Sequence, residues 1–120
     1  MKEIIKREPD EGYLKFLQTV SREDLLTIED EVKLIKQIQR AEGDVEVSKD
    51  KLMRANQRFV RAVASRYVSE KHSLEELMVE GNIGLEYAIY HFDETLGFKF
   101  ISYAIWWIRQ GIQRAICVKL

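Results

Sequence analysis

Residues 98–114 read FKFISYAIWWIRQGIQR, and the fold turns on how this stretch sits on a helix. At about 100° per residue, two opposed faces separate. Ile101, Ile105, Ile108, Ile112 and Ala115 fall on one stripe, spaced four, three, four and three residues apart. That is the spacing of a core-facing stripe. Tyr103, Trp106, Trp107, Gln110, Gln113 and Arg114 fall on the other side. A helix whose core stripe is already supplied usually turns charged residues to water, so this second face is anomalous. Two readings stand. Either the helix is buried on both sides, or the face is a recognition surface with rings for stacking, amides for base edges and cations for phosphates.

Working outward, 120 residues make one domain, with 46% hydrophobic and 32% charged residues, as in an ordinary globular chain. One proline, six glycines and no alternating β-branched run point to an all-α class, a compact bundle of about four main helices. No apolar run approaches the roughly 20 residues that span a membrane, and the N-terminus is not a signal peptide. The lone Cys117 excludes an internal disulfide, which fits a cytoplasmic location. The net charge of −1 conceals a segregation. Residues 21–50 carry nine acids against five bases, and residues 70–94 seven against one. Residues 51–66 carry Lys51, Arg54, Arg58, Arg61 and Arg66 without an acid, and from Phe98 onward Lys99, Arg109, Arg114 and Lys119 are again unopposed. Near-neutrality therefore does not exclude a nucleic-acid partner.

Taken in order, residues 1–12 read as a flexible lead-in and 13–120 as the helical domain. A short helix is expected within Asp10–Val20, and Ser21 to Leu26 is a connector. Thr27 and Asp30 have the spacing of an N-cap ahead of Ile28, Val32, Ile35 and Ile38, with an end near Ala41. One helix is expected from about Val45 or Ser48 to Val68, its apolar face being Leu52, Asn56, Phe59, Val60, Val63 and Tyr67. Lys51, Arg54, Arg58 and Arg61 share the opposite face, either as a solvated stripe or as a contact for phosphates. Ser73 and Glu76 form a capping-box signature. Behind it Leu77, Met78, Gly81, Gly84, Leu85, Ala88 and Phe92 line one side, and the two glycines imply close helix packing. Glu76, Val79, Glu80, Ile83, Glu86 and Tyr90 face outward, a mixture closer to a protein-docking surface than to a solvated one.

No phosphate-binding glycine loop, HExxH or clustered Cys/His spacing occurs, and His72 and His91 stand alone. No catalytic residues, metal ligands or cofactor are expected, and the chain reads as a binding protein rather than an enzyme.

With these residues in view, the chain resembles domain 2 of the sigma-70 family, the promoter-specificity subunits of bacterial RNA polymerase, from Tyr13 onward. Leu25-Leu26-Thr27 with Glu31-Val32 resembles the family's region 1.2, and the run from Leu52 through Asn56 and Arg58 to Val60 resembles region 2.1. Glu76 to Leu85, containing EGNIGL, resembles region 2.2, while Phe98-Lys99-Phe100, Ser102-Tyr103-Ala104 and Trp106-Trp107-Ile108-Arg109-Gln110 resemble regions 2.3 and 2.4.

The resemblance implies docking on the β′ clamp coiled coil of core RNA polymerase, through Glu76, Val79, Glu80 and Asn82, with Ile83 and Glu86 beside them. It also implies recognition and melting of the promoter −10 element by capture of unpaired non-template bases. Phe98, Phe100, Tyr103, Trp106 and Trp107 would then stack on unpaired bases or cover the last paired step. A flipped adenine would rest against Tyr103 near Phe92 and Asp93, and a second flipped base would approach Asn56 and Lys99. Gln110 and Gln113 would read the last duplex pair. Lys99, Arg109 and Arg114 would hold phosphates, with Arg58 also at the DNA. An anti-sigma factor is a further candidate partner; no membrane is implied.

Four positions depart from the family pattern. Val79 replaces a residue that is usually polar, and Leu96 an arginine that helps form the adenine pocket. Gln113 stands for a common threonine, and Gly111 for alanine or serine, where it should loosen the helix. The family continues beyond the position of Arg114 into further domains. The sequence is therefore read either as a piece of a longer factor or as a short variant. Two other roles compete with the sigma-like one: a polymerase-binding decoy or regulatory module without autonomous promoter recognition, and a helical domain that self-associates through its aromatic face.

Overall fold

The computed structural model describes residues 26–97 and 99–118. The expected lead-in, the short helix within Asp10–Val20, Phe98 and Lys119 lie outside the described residues. Five α-helices follow one another: α1 (Ile28–Gln39), α2 (Val45–Ala55), α3 (Gln57–Ala64), α4 (Leu74–His91) and α5 (Phe100–Val118). A 3₁₀ turn over Glu94–Leu96 joins the last two. Among the described residues there is no strand, and no helix is long and apolar enough to cross a membrane.

The helix starts are set by side-chain caps. Thr27 Oγ1 accepts from the Asp30 amide at 3.1 Å, Asp44 Oδ1 from Val47 at 3.2 Å, and Ser73 Oγ from Glu76 at 3.2 Å. The capping box at Ser73 is half made, because the Glu76 carboxylate turns to His72 Nδ1 at 2.9 Å. Ile28, expected in the core stripe of α1, is exposed at the helix start, while Ile35 and Ile38 are buried.

The helix expected over Val45–Val68 is two helices and ends earlier, at Ala64. At Asn56 the backbone N–H bonds Met53 O instead of Leu52 O, and the freed Leu52 carbonyl is taken by a side chain. Asn56 Nδ2 donates to Leu52 O at 2.9 Å and Gln57 Nε2 to Met53 O at 3.0 Å. A buried carbonyl without a donor costs about 1–3 kcal/mol, so the Asn56 amide makes the break tolerable, and Gln57 adds a second donor at Met53 O. Apolar periodicity runs straight through it, which is why the sequence pattern does not reveal it.

The antiparallel pair α4–α5 is the centre of the fold. A Cβ on Gly84 would lie 2.0 Å from Trp107 O, and one on Gly111 would lie 2.4 Å from Glu80 O. Moving back along α4 from Gly84 to Glu80 advances along α5 from Trp107 to Gly111, which fixes the direction. Gly111 therefore does more than loosen its helix: it lets α5 lie against the α4 backbone. Ile105, Ile108 and Ile112 complete the core with Leu77, Leu85, Val60 and Val63. Helix α1 closes over the end of α4, where Gln39 Nε2 donates to Ile89 O at 2.8 Å and Phe92 O at 2.9 Å.

Candidate nucleic-acid interface and docking face

The ring-bearing side of α5 is not an open surface. Tyr103 and Trp107 are 4% and 6% exposed, so at these residues the helix is buried on both sides. Their rings belong to a continuous series. His91 stacks on Tyr87 at 3.9 Å between centroids, Tyr87 tilts against Trp107 at 4.4 Å, and Trp107 meets Tyr103 at 6.3 Å. Tyr103 meets Phe92 at 5.5 Å, and Phe92 meets Phe100 edge-on at 5.3 Å. Tyr103 Oη donates to His91 O at 3.3 Å, and burial pushes its phenol up. Phe100, expected to stack on a base, is only 1% exposed and packs as a core ring. Phe92 is likewise buried, and Leu96 is exposed on the turn that follows. That turn is held by Asp93, whose carboxylate accepts from Thr95 N and Oγ1 and is kept below its ordinary range by those bonds.

Further along α5, Trp106 and Arg109 are half-buried, and both have partners. Gln110 and exposed Arg114 line a groove of about 170 Å³ between α4 and α5, floored by Trp107 and walled by Ile83 and Tyr87. Gln113, expected beside Gln110, points elsewhere: its Nε2 donates to Tyr67 Oη at 3.1 Å.

A second cavity, of about 100 Å³, brings Asn56 and Lys99 together as the sequence reading expected. Leu26, Ile28, Ala55, Phe59 and Ile101 supply apolar walls, and Glu31 supplies a carboxyl. Asn56 Nδ2 is committed to Leu52 O, which leaves Oδ1 as the acceptor side of its amide. Burial pushes Glu31 up to about 7, against the Phe100 backbone N–H and the Lys99 charge, which both lower it. Glu31 is a residue that sequence reasoning placed only among first-turn acids. Glu31 is half-buried, and Lys99 and Phe100, some 70 residues away in the chain, are the groups that counter its shift. Arg58, the remaining cation of the expected DNA set, is half-buried on α3 and engaged.

The expected docking set divides. Val79 and Ile83 are each 59% exposed on the crest of α4, next to exposed Tyr87 and Tyr90. Glu76 and Glu80 are half-buried. Asn82 faces inward, exchanging amide hydrogen bonds with Gln57 at 2.7 and 3.1 Å. Glu86 pairs with Lys49 at 3.0 Å, and Tyr90 together with Glu86 holds that ammonium above its ordinary range. Tyr87 was missed by the sequence reading although it lies on the outward stripe, four residues after Ile83 and seven after Glu80. No group of three or more candidate metal ligands occurs among the described residues.

Comparison with known proteins gives this arrangement a class. The sequence pattern of the family described as sigma-70 region 2 matches residues 52–117, which spans α2 to α5. The chain belongs to that family. It is similar to the RNA polymerase sigma factor SigA of Listeria monocytogenes, with 46% identity over 101 residues that cover 84% of this chain and 26% of the relative. It is also similar to the RNA polymerase sigma factor SigA of Lactococcus lactis, with 40% identity over 107 residues, 89% of this chain and 29% of that protein. The chain thus spans between a quarter and a third of the length of these relatives.

Proposed function

We propose that this domain acts in transcription initiation as a sigma-type module. It docks on core RNA polymerase through the crest of α4 and holds unpaired bases of the promoter −10 element. The observation that carries the reading is the cavity at the junction of α1, α2–α3 and α5, inside a chain of this family. An apolar-walled space of about 100 Å³ with a carboxyl, an amide and an ammonium converging on it fits one planar ring. Drug-sized ligands occupy about 300–1,000 Å³, so a larger cofactor is disfavoured. Asn56 Oδ1 would accept from a base N–H, and Lys99 would meet a base carbonyl or the adjoining phosphate. A second base would be taken by the Tyr103–Phe92–Trp107 cluster, whose rings must open to receive it. Gln110 and Arg114 would meet the duplex edge from the neighbouring groove. Val79 and Ile83, with Glu76, Glu80 and Glu86 around them, would form the polymerase contact, and Asn82 would support it from beneath.

The test is fluorescence anisotropy of a labelled −10 non-template strand beside a scrambled strand, titrated with the protein in the presence and absence of core polymerase. Preference for the −10 strand, strengthened by core and lost in Tyr103→Ala and Asn56→Ala, is the expected result. Equal affinity for both strands, with core binding verified by co-elution, would sink the reading.

A second reading is favoured by one contrast. The α4 crest is open while the aromatic cluster is closed, as suits a module that occupies the polymerase site as a decoy without engaging DNA. In that case the protein displaces an intact sigma factor from core while retaining no −10 strand.

A further inference from the structure

The basic stripe of α2–α3 has no part in the contacts described so far, Arg58 excepted. Lys51, Arg54 and Arg61 are exposed, and no acid occurs between residues 51 and 66. Among the described residues only one of the three has an ion pair, Arg54 with Asp50 at 3.1 Å, and the Arg54 side chain remains 80% exposed. Such a run is unusual in a chain of net charge −1.

Its position relates it to the small cavity. Ala55, Asn56 and Phe59 line the opening from the α2–α3 side. Lys51 precedes Ala55 by four residues on α2 and so borders the same edge, while Arg58 stands at the start of α3, just past the break at Asn56. Arg54 and Arg61 continue round onto the solvent side. Within each helix, Lys51 with Arg54 on α2 and Arg58 with Arg61 on α3 are three residues apart, about 5–6 Å, a spacing on the scale of one extended nucleotide. Cations in a row beside a ring-sized cavity suit a strand whose base enters the cavity and whose phosphates run outside it. An acidic protein would find the same charge but no use for the cavity beside it.

We infer that the backbone of a single strand with one base seated in the Asn56–Lys99 cavity runs along α2–α3, held by phosphate contacts to Lys51, Arg54 and Arg61. This rests on the nucleic-acid reading above and extends it by a defined path. The three cations carry no base information, so they raise affinity for any sequence once the cavity is filled. They add length-dependent binding that the aromatic cluster does not supply.

The experiment uses the full chain and two −10 strands, a short one and one lengthened by four nucleotides on each side. Each is titrated across a series of salt concentrations. Neutralising one phosphate of a single strand contributes about −0.7 to the slope of log K against log salt. Lengthening should therefore steepen the wild-type slope by about 2. The variant Lys51→Gln, Arg54→Gln, Arg61→Gln should lose that increment and bind the short strand as the wild type does. Its substituted side chains are exposed, and an unchanged melting temperature controls for folding. An increment that survives in the variant, or a wild-type slope that ignores length, would overturn the path. Retention without −10 preference, with the increment still lost in the variant, would overturn the promoter reading and uphold the path. Equal displacement of the long strand by poly-glutamate and by poly-dT at matched charge would assign the stripe to an acidic protein instead and overturn the inference.

Discussion

Val79 and Ile83 stand 59% exposed on α4, while across the helix pair Tyr103 and Trp107 are 4% and 6% exposed on α5. Both sets are apolar residues in the segments that most resemble the family, and burial has divided them. Fully burying one large apolar side chain is worth about 1.5–3 kcal/mol. The α5 rings have already contributed that energy to the fold. The α4 crest has not, and keeps it for a partner. A protein can therefore dock on α4 without disturbing the domain, whereas a base entering at Tyr103 must displace Phe92 or Trp107. Stacking returns about 1–3 kcal/mol per base, which is comparable to what the displaced contacts lose. Docking should be intrinsic to the domain, and base capture conditional.

The sharpest way to break this contrast is to part α4 from α5. A Gly84→Ala methyl would meet Trp107 O at 2.0 Å, backbone against a rigid helix with no flexible atom to yield. Loss of at least about 4 kcal/mol is expected, in the range reserved for severe overpacking, and urea unfolding measures it. Gly111→Ala, which restores a residue common in the family, should cost less than Gly84→Ala because its clash with Glu80 O is at 2.4 Å. A neutral Gly84→Ala would mean that the helices are not in the contact described.

Glu31 tests the small cavity, which shares features of both regions: walled like the core, yet polar within. Its folded value of about 7 lies above the ordinary 4.5 because burial disfavours the carboxylate. The folded protein then binds the proton more tightly than the unfolded one. The associated stability is complete below about pH 4.5 and is lost as pH rises through 7. The full loss is of order 3 kcal/mol. Glu31→Gln should flatten this dependence, making the variant more stable than the wild type at pH 8 and similar at pH 5. Thermal melts at the two values decide it; parallel losses in both proteins would mean that the carboxyl is not buried.

Binding assays should separate the two faces cleanly. Val79→Ser with Ile83→Ser is expected to weaken binding to core polymerase at least tenfold, while stability stays within about 0.5 kcal/mol, as for other exposed sites. Phe100→Ala should do the reverse, costing about 3–5 kcal/mol of stability through the cavity it leaves. Co-elution with core and urea unfolding, measured on the same preparations, would expose any mixing of the two effects.

Helix class, the α4 and α5 core stripes and the close approach at Gly81 and Gly84 were legible in the sequence because they follow from periodicity and from residues with one physical use. The pairing of Asn56 with Lys99 was legible only through the family resemblance. What could not be read depends on the third dimension. The break at Asn56 hides beneath unbroken apolar spacing, since a side-chain amide replaces the missing backbone bond. The burial of Phe100, Tyr103 and Trp107 depends on Phe92 and Tyr87 arriving from another helix. A helical wheel assigns directions but not neighbours, so it left a covered face and an open one as alternatives. Glu31 looked like any acid in a first turn until the fold brought Lys99 and Phe100 to it.

The smallest expected effect concerns Asn82, which the resemblance assigns to the docking face but which bonds inward to Gln57. If its role is internal, Asn82→Ala leaves Gln57 Oε1 without its donor, while Nε2 keeps Met53 O, and costs about 1 kcal/mol of stability. Core affinity should then fall much less than in the Val79–Ile83 variant. Replacing both Gln57 and Asn82 should cost less than the sum of the two single losses, because the bonds they share are removed once. A double-mutant cycle reads the coupling directly, and a value near zero would release Asn82 to the surface. A large loss of core binding at unchanged stability would do the same, moving the boundary of the open face from Val79 and Ile83 one residue toward α3.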